Sequence, residues 1–289
     1  MVFSEAPIPI SDVWGMIYGQ LEIRDMVSGD FEMSQIAGHS VCARSEQPLV
    51  IGAEGIRELI EARQLNGFNV RHTGNKNSFS VLLNSLIGSD AELYALHFTG
   101  DFPQPNDHGW NQLLEGLMVS WRSIGAWQWF NAYQKWQWYT DTKFYTKQYG
   151  VLPPNLQTYI QKSDDGIAPD REVIDISLNP GHPKKVANGV YFHPTAEMWL
   201  GPHFWQYAKC TKEEAMAADF FLEKRDTPQF LYLKSWPEPF TRPDGEQGRQ
   251  QQRLWKLFFN EDCEWPPGSG GISDEPMYGP PELMPGKES

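Results

Sequence analysis

The sequence predicts an α+β fold, with a mixed or antiparallel sheet, packed helices and a Trp-rich core. Segments of helical period and segments of two-residue alternation follow one another without the strand–helix–strand rhythm of a doubly wound sheet. Hydrophobic residues make up 40% and charged residues 21% of the 289 residues, a globular composition. Twelve tryptophans supply bulky side chains for that core. At roughly 100 to 200 residues per domain, the expected organisation is a single α+β domain over 1–260, with room for a sub-division near residue 150. A Pro/Gly-rich acidic extension over 261–289 follows it.

In chain order, Gly52 to Leu65 places Ile56, Leu59 and Ile60 at helical spacing, and Asn66-Gly67 follows where a left-handed cap is wanted. Phe68 to His72 and Glu92 to Phe98 alternate apolar and polar residues between Gly-rich turns, which reads as two strands. Trp110 to Gly125 returns to helical period through Leu113, Leu114, Leu117, Met118 and Trp121, after the turn-rich run Pro103 to Asp107.

Leu152-Pro153-Pro154-Asn155 makes a rigid break. Val173 to Leu178 and Val190 to His193 are strand candidates, separated by the loop Pro180-Gly181-His182-Pro183. Thr211-Lys212-Glu213-Glu214 is a capping box that opens an Ala-rich helix reaching about Arg225. Phe230 to Ser235 alternates as a strand, and Glu246 to Asn260 is the last helix, with Leu254, Trp255, Leu257 and Phe258 on its apolar side. Residues 261–289 hold six prolines, five glycines and seven acids against one lysine, a composition unable to form a core. That stretch reads either as an extension lying over the domain through Trp265, Met277 and Tyr278 or as an acidic arm toward a basic partner.

Composition excludes several functions. With 24 basic against 37 acidic residues the formal charge is −13, so gripping nucleic acid through phosphate neutralisation is not expected. The first ten residues carry no Lys or Arg, and Pro7 and Pro9 interrupt the apolar stretch that a signal peptide needs. The greasiest region, Leu113 to Tyr139, is broken by Glu115, Arg122, Gln128, Asn131 and Lys135, so no membrane span is expected. Cys42, Cys210 and Cys263 match neither a disulfide framework nor a paired zinc spacing, which fits a reducing cytoplasm.

Candidate chemistry is sparse. No GxSxG, SxxK with KTG, GxGxxG or GxxxxGK[ST] pattern occurs, so no cofactor and no enzymatic activity are expected. His193, Glu197 and His203 form one suggestive group, but Pro194 and Pro202 interrupt it and its spacing is not HExxH. His97, Asp101, Asp107 and His108 form a second, on a strand end and a Pro-rich loop. Asp107 with Asp141-Thr142-Lys143 loosely imitates a magnesium-nuclease pattern, and Asp164, Asp165, Glu197 and Glu238 are the carboxylates from which a glycosidase pair would be drawn. None of these is assigned as a catalytic or metal site. Six tryptophans, Trp110, Trp121, Trp127, Trp129, Trp136 and Trp138, fall within one stretch of 29 residues. Packing is one reading of that density; the other sets Trp127/Trp129 and Trp136/Trp138 on strand faces, as a platform for sugars or an interface anchor.

The Trp-rich run Trp121 to Tyr139, with Ala196-Glu197-Met198-Trp199 and Cys263-Glu264-Trp265-Pro266-Pro267, resembles the immunity proteins of bacterial polymorphic toxin and type VI secretion systems. It is most similar in character to the TsiT-type class that accompanies toxins with a restriction-endonuclease fold. The resemblance implies a non-enzymatic cytoplasmic protein that binds and neutralises a cognate toxin, a basic nuclease-like partner. The partner-binding residues expected are Glu261, Asp262, Glu264, Asp274 and Glu275 for electrostatics, with Trp136 and Trp138 as anchors. The competing expectation is a carbohydrate-binding or carbohydrate-active protein with a Trp-rich groove.

Overall fold

A computed structural model describes residues 2–4, 10–23, 28–37, 42–43, 49–62, 67–73, 78–86, 93–100, 108–120, 123–152, 156–162, 169–187 and 190–260. The chain begins with β1 (Val2–Ser4), α1 (Ile10–Ile23), β2 (Asp30–Ala37), β3 (Cys42–Ala43), β4 (Leu49–Gly52) and α2 (Ala53–Glu61). Three long strands follow, β5 (Gly67–His72), β6 (Ser78–Leu86) and β7 (Leu93–Gly100), then α3 (His108–Ser120), β8 (Ser123–Gln128), α4 (Asn131–Trp138) and α5 (Thr142–Tyr149). Short strands dominate the remainder: β9 (Thr158–Gln161), β10 (Arg171–Ile174), β11 (Lys184–Ala187), β12 (Val190–Phe192) and β13 (Glu197–Leu200). A 3-10 turn (Pro202–Gln206), α6 (Lys212–Ala217), β14 (Glu223–Asp226), β15 (Leu231–Lys234) and α7 (Gly245–Phe259) complete the described chain.

Eleven of these strands form one antiparallel sheet in the order 14-15-13-8-1-7-6-5-2-3, with β4 also paired to β2. The fold class is thus α+β. Strand β1 stitches the sheet together: Phe3 lies opposite Ala95 of β7 on one side and Gly125 of β8 on the other. The sheet therefore runs without a break from the strands before residue 100 to those after residue 190. Beyond it, β9 and β10 form one small antiparallel pair, and β11 and β12 another.

Alternation decides which side chains share a face of the sheet. Trp127 of β8, Met198 and Leu200 of β13, and Leu231 and Leu233 of β15 join the main core with Val190 and Phe192 of β12, Phe204 of the 3-10 turn, and Leu254, Trp255, Phe258 and Phe259 of α7. The opposite face carries Glu197, Trp199, Tyr232 and Lys234, brought side by side by the pairings Glu197 with Lys234 and Trp199 with Tyr232. Helix α3 lies against β8 and β13. A second aromatic core joins Trp136 and Tyr145 to Leu156, Ile174 and Ile176. Near the N-terminus, α1 packs on α2, with Ile17, Leu21, Ile56 and Ile60 buried.

Several expected elements change shape. The helix expected to reach Gly125 stops at Ser120, because Ser123–Gln128 is drawn into the sheet between β1 and β13. Gly125 suits that strand: a Cβ there would sit 2.6 Å from the Trp127 ring, which covers the same face. The capping box at Thr211 is present, its hydroxyl accepting from Glu214 N–H at 3.1 Å and its own N–H donating to the Glu214 carboxylate at 2.7 Å. The helix it opens ends at Ala217 rather than near Arg225, since the Lys224 ammonium donates to the carbonyls of Met216 and Ala218 at 2.8 and 2.9 Å and β14 pairs with β15. Strand β10 likewise ends at Ile174, where Asp175 accepts from Ser177 N–H and turns the chain. The last helix matches its expectation, closed by Asn260 in a left-handed conformation with φ 55°.

Gly201, between β13 and the 3-10 turn, tests this packing. A Cβ there would lie 1.8 Å from the Ser123 carbonyl oxygen, although its φ of −73° suits any residue. The Gly201→Ala variant is expected to lose about 3 kcal/mol of stability through overpacking alone, read as a lower urea midpoint at unchanged m-value.

Candidate functional site

Two neighbouring constellations hold most of the chemistry. The first is a histidine among tryptophans. His193 follows β12, is fully buried, and stacks on Trp129 with ring centroids 4.8 Å apart and planes 26° apart. Trp138 meets it edge-on at 5.6 Å, and Trp127 lies tilted to it at 6.0 Å. Residues 127 and 129 share a face because β8 is extended as far as Gln128. Trp136 and Trp138 do not share one, since α4 is a helix and two residues along a helix turn through about 200°. Trp138 turns toward His193 and Trp129, whereas Trp136 packs on Tyr145 and Tyr149 at 4.9 and 5.8 Å. At 6% exposure Trp136 belongs to the second core, and Trp138 is half-buried. Phe130, next to Trp129 in sequence, is 44% exposed.

The second constellation lies under α3. Glu197 is 9% exposed, and its carboxylate accepts from the Lys234 ammonium at 2.6 Å and from the Asn111 amide at 3.4 Å. Beside it the Arg225 guanidinium binds Glu115 with both NH₂ groups, at 2.9 and 2.5 Å, and lies 4.9 Å over the Tyr232 ring. The Arg225 bonds hold the Glu115 carboxyl below its ordinary range against the opposing effect of burial. Burial, with Glu197 and Glu223 nearby, pushes the Tyr232 hydroxyl well up. This is a bonded ion network beneath a helix, in which Glu197 faces Lys234 and Glu115 faces Arg225.

A buried loop ties α4 to α7 close by. Asn179, Pro180, Gly181, His182 and Pro183 are all buried. Their backbone groups are met by side chains: Gln134 donates to the Gly181 carbonyl at 2.9 Å, Gly181 N–H donates to Gln137 at 3.0 Å, and the Trp255 indole donates to the Pro180 carbonyl at 3.0 Å. Tyr133 donates to Gln251 across the same junction at 2.9 Å. His182 stacks on Trp255 at 4.5 Å, and its Nδ1 lies 2.5 Å from the Asn179 carbonyl. Burial lowers its pKa from 6.5 to about 4, with Lys184 adding to the effect and the Asn179 bond opposing it.

The residues singled out from the sequence are mostly dispersed. Glu197 lies on β13, not one helical turn from His193, and His203 sits on the exposed side of the 3-10 turn. Asp141 caps α5 by accepting from Lys143 N–H at 2.9 Å. No group of three His, Cys, Asp or Glu residues suited to a metal ion occurs among the described residues. The Cys210 thiol is half-buried and raised to about 11 by burial, so it stays protonated at neutral pH. Asp101, Asp107, Asp164 and Asp165 lie outside the described residues, as do Glu261, Asp262, Glu264, Asp274 and Glu275. The place of Gln134 and Gln137 between tryptophans suits an exposed face, yet both are buried, because their amides bond to the backbone of Gly181; Tyr232 and Arg225 carry no sequence signal of their place in the ion network.

Comparison with protein-family models, with curated proteins and with solved structures gives no match.

His182 makes stability depend on pH in one direction. Its folded pKa is depressed, so the neutral imidazole contributes fully above pH 6.5, and the contribution is lost as pH falls toward about 4. The expected loss over that window is about 3 kcal/mol. Denaturation between pH 7 and 4 should show this slope, and a His182→Gln variant should flatten it. A ring-proton titration of His182 already under way at pH 6 would contradict the assignment.

Proposed function

We propose that this chain is a non-enzymatic immunity protein that binds and neutralises a cognate toxin, a basic nuclease-like protein delivered by a bacterial secretion system, in the cytoplasm. The observation that carries the reading is charge: −13 over 289 residues, with a sequence pI near 5.0. A nuclease presents basic surface to its substrate, so an acidic partner is steered toward it from a distance and competes for the same surface. Residence then comes from apolar contact, for which Phe130 and the half-buried Trp129 and Trp138 are available.

The side chains best suited to catalysis carry structural duties instead. His193 and His182 are enclosed by aromatic rings, Glu197 is bonded to Lys234, and the Cys210 thiol is protonated. That distribution favours function through a surface over function through a reactive centre. Among the described residues no helix is long and apolar enough to cross a membrane.

The half-buried pair Trp129 and Trp138, at 6.2 Å, favours the second reading, a carbohydrate platform. Co-expression with the protein encoded beside it, with a toxicity test of that protein and pull-down of the pair, separates the two. Restored growth and a stable complex whose association slows at high salt are expected. A harmless neighbour, no complex, and a tryptophan fluorescence shift on adding oligosaccharide would replace immunity with the carbohydrate reading.

A further inference from the structure

The large sheet ends at β14, which among the described residues pairs with β15 alone. The bond from Thr227 N–H to the Phe230 carbonyl, 3.0 Å, sets the hairpin register and makes Arg225 with Tyr232 a hydrogen-bonded pair. By the alternation of an antiparallel ladder, the N–H and C=O groups of Lys224 and Asp226 then face away from β15. We propose that this outer edge of β14 takes an extended basic segment of the partner protein by strand addition. The inference rests on the reading of the chain as a partner-binding protein and names the surface used.

Among the described residues no strand pairs with this edge, and its surroundings select the occupant. Glu223, Arg225 and Asp226 are exposed, and Leu222, at the start of the strand, is 61% exposed, offering apolar contact to a residue of the incoming strand. The cations beside the edge are engaged within the chain: Lys224 caps the carbonyl end of α6, Arg225 holds Glu115, and Lys212 pairs with Asp226 at 2.5 Å. Glu213, Asp219 and Glu223 are exposed and enter no ion pair among the described residues, so the rim is negative. Lys and Arg on an added strand complement that rim. Pairing of β14 with a second copy through its outward groups sets Lys224 opposite Asp226 but Arg225 opposite Arg225; a concentration-dependent dimer that forms without peptide and protects β14 would replace the partner segment with a second copy.

The probe is a fluorescein-labelled synthetic peptide of alternating Lys and Val, with a Glu/Val peptide as control. Binding of the Lys/Val peptide should slow hydrogen exchange at the amides of Lys224 and Asp226 in the unaltered protein. Asp226→Pro deletes one outward N–H while leaving the bonds to β15, and should weaken binding about tenfold or more; Asp226→Ala, which loses the same carboxylate, should weaken it less than about threefold. No binding, equal binding of both peptides, protection outside β14, or full affinity in Asp226→Pro would each overturn the proposal. Toxin neutralisation by Asp226→Pro equal to that of the unaltered chain would sink strand addition and leave immunity standing. Protection of β14 by the peptide, with no toxin partner found, would do the opposite.

Discussion

Glu197 sits on a strand enclosed on both faces, and much of the surrounding architecture follows from the need to keep a carboxylate there. All four residues of β13 are buried, between β8 on one side and β15 on the other. Met198 and Leu200 enter the apolar core, so alternation sends Glu197 and Trp199 to the opposite face. A charge in that position is tolerated only when bonded. Lys234 is its direct cross-strand neighbour, Asn111 reaches it from α3, and Arg225 with Glu115 extends the network to the sheet edge. The charged face thereby orients α3, as the apolar face orients α7.

The loop 179–183 follows the same rule without formal charge. Buried backbone cannot bond to water, so amide and indole side chains of α4 and α7 bond to it. Gly181 is confined here as well: a Cβ would lie 2.6 Å from Gln137 and 2.9 Å from Gln251. Aromatic density serves these junctions. Trp255 stacks on His182, and Trp129 stacks on His193, so the histidines are enclosed and large rings fill the space between helices and sheet.

Local chemistry was legible where one segment decides its own conformation. The capping box at Thr211, the helix ending at Asn260 and the alternation of β5, β7 and β15 all follow from neighbours in sequence. The α+β class followed from the order of such segments. What was not legible depends on distant partners. Helix α1 carries Gly15 and Gly19, which weaken its helical pattern, and is held against α2 by Ile17 and Leu21. Strand β8 reads as a helix end until its pairing with β1 and β13 is known. Of the two tryptophans expected as anchors, Trp136 is buried in the second core, while Trp138 packs on that core from outside and also meets His193 and Trp129, a difference that the helical conformation of α4 creates. The five acidic residues of the extension expected to bind a partner lie outside the described residues.

The buried Glu197 carboxylate has a structural role through its bonds to Lys234 and Asn111. A double-mutant cycle on Glu197→Gln and Lys234→Met, followed by chemical denaturation, tests that assignment most directly. Structural pairing predicts that each single change is destabilising and that the two are coupled by about 1 to 3 kcal/mol. Independent, near-neutral effects on stability would contradict it and return Glu197 to the set of groups available for chemistry.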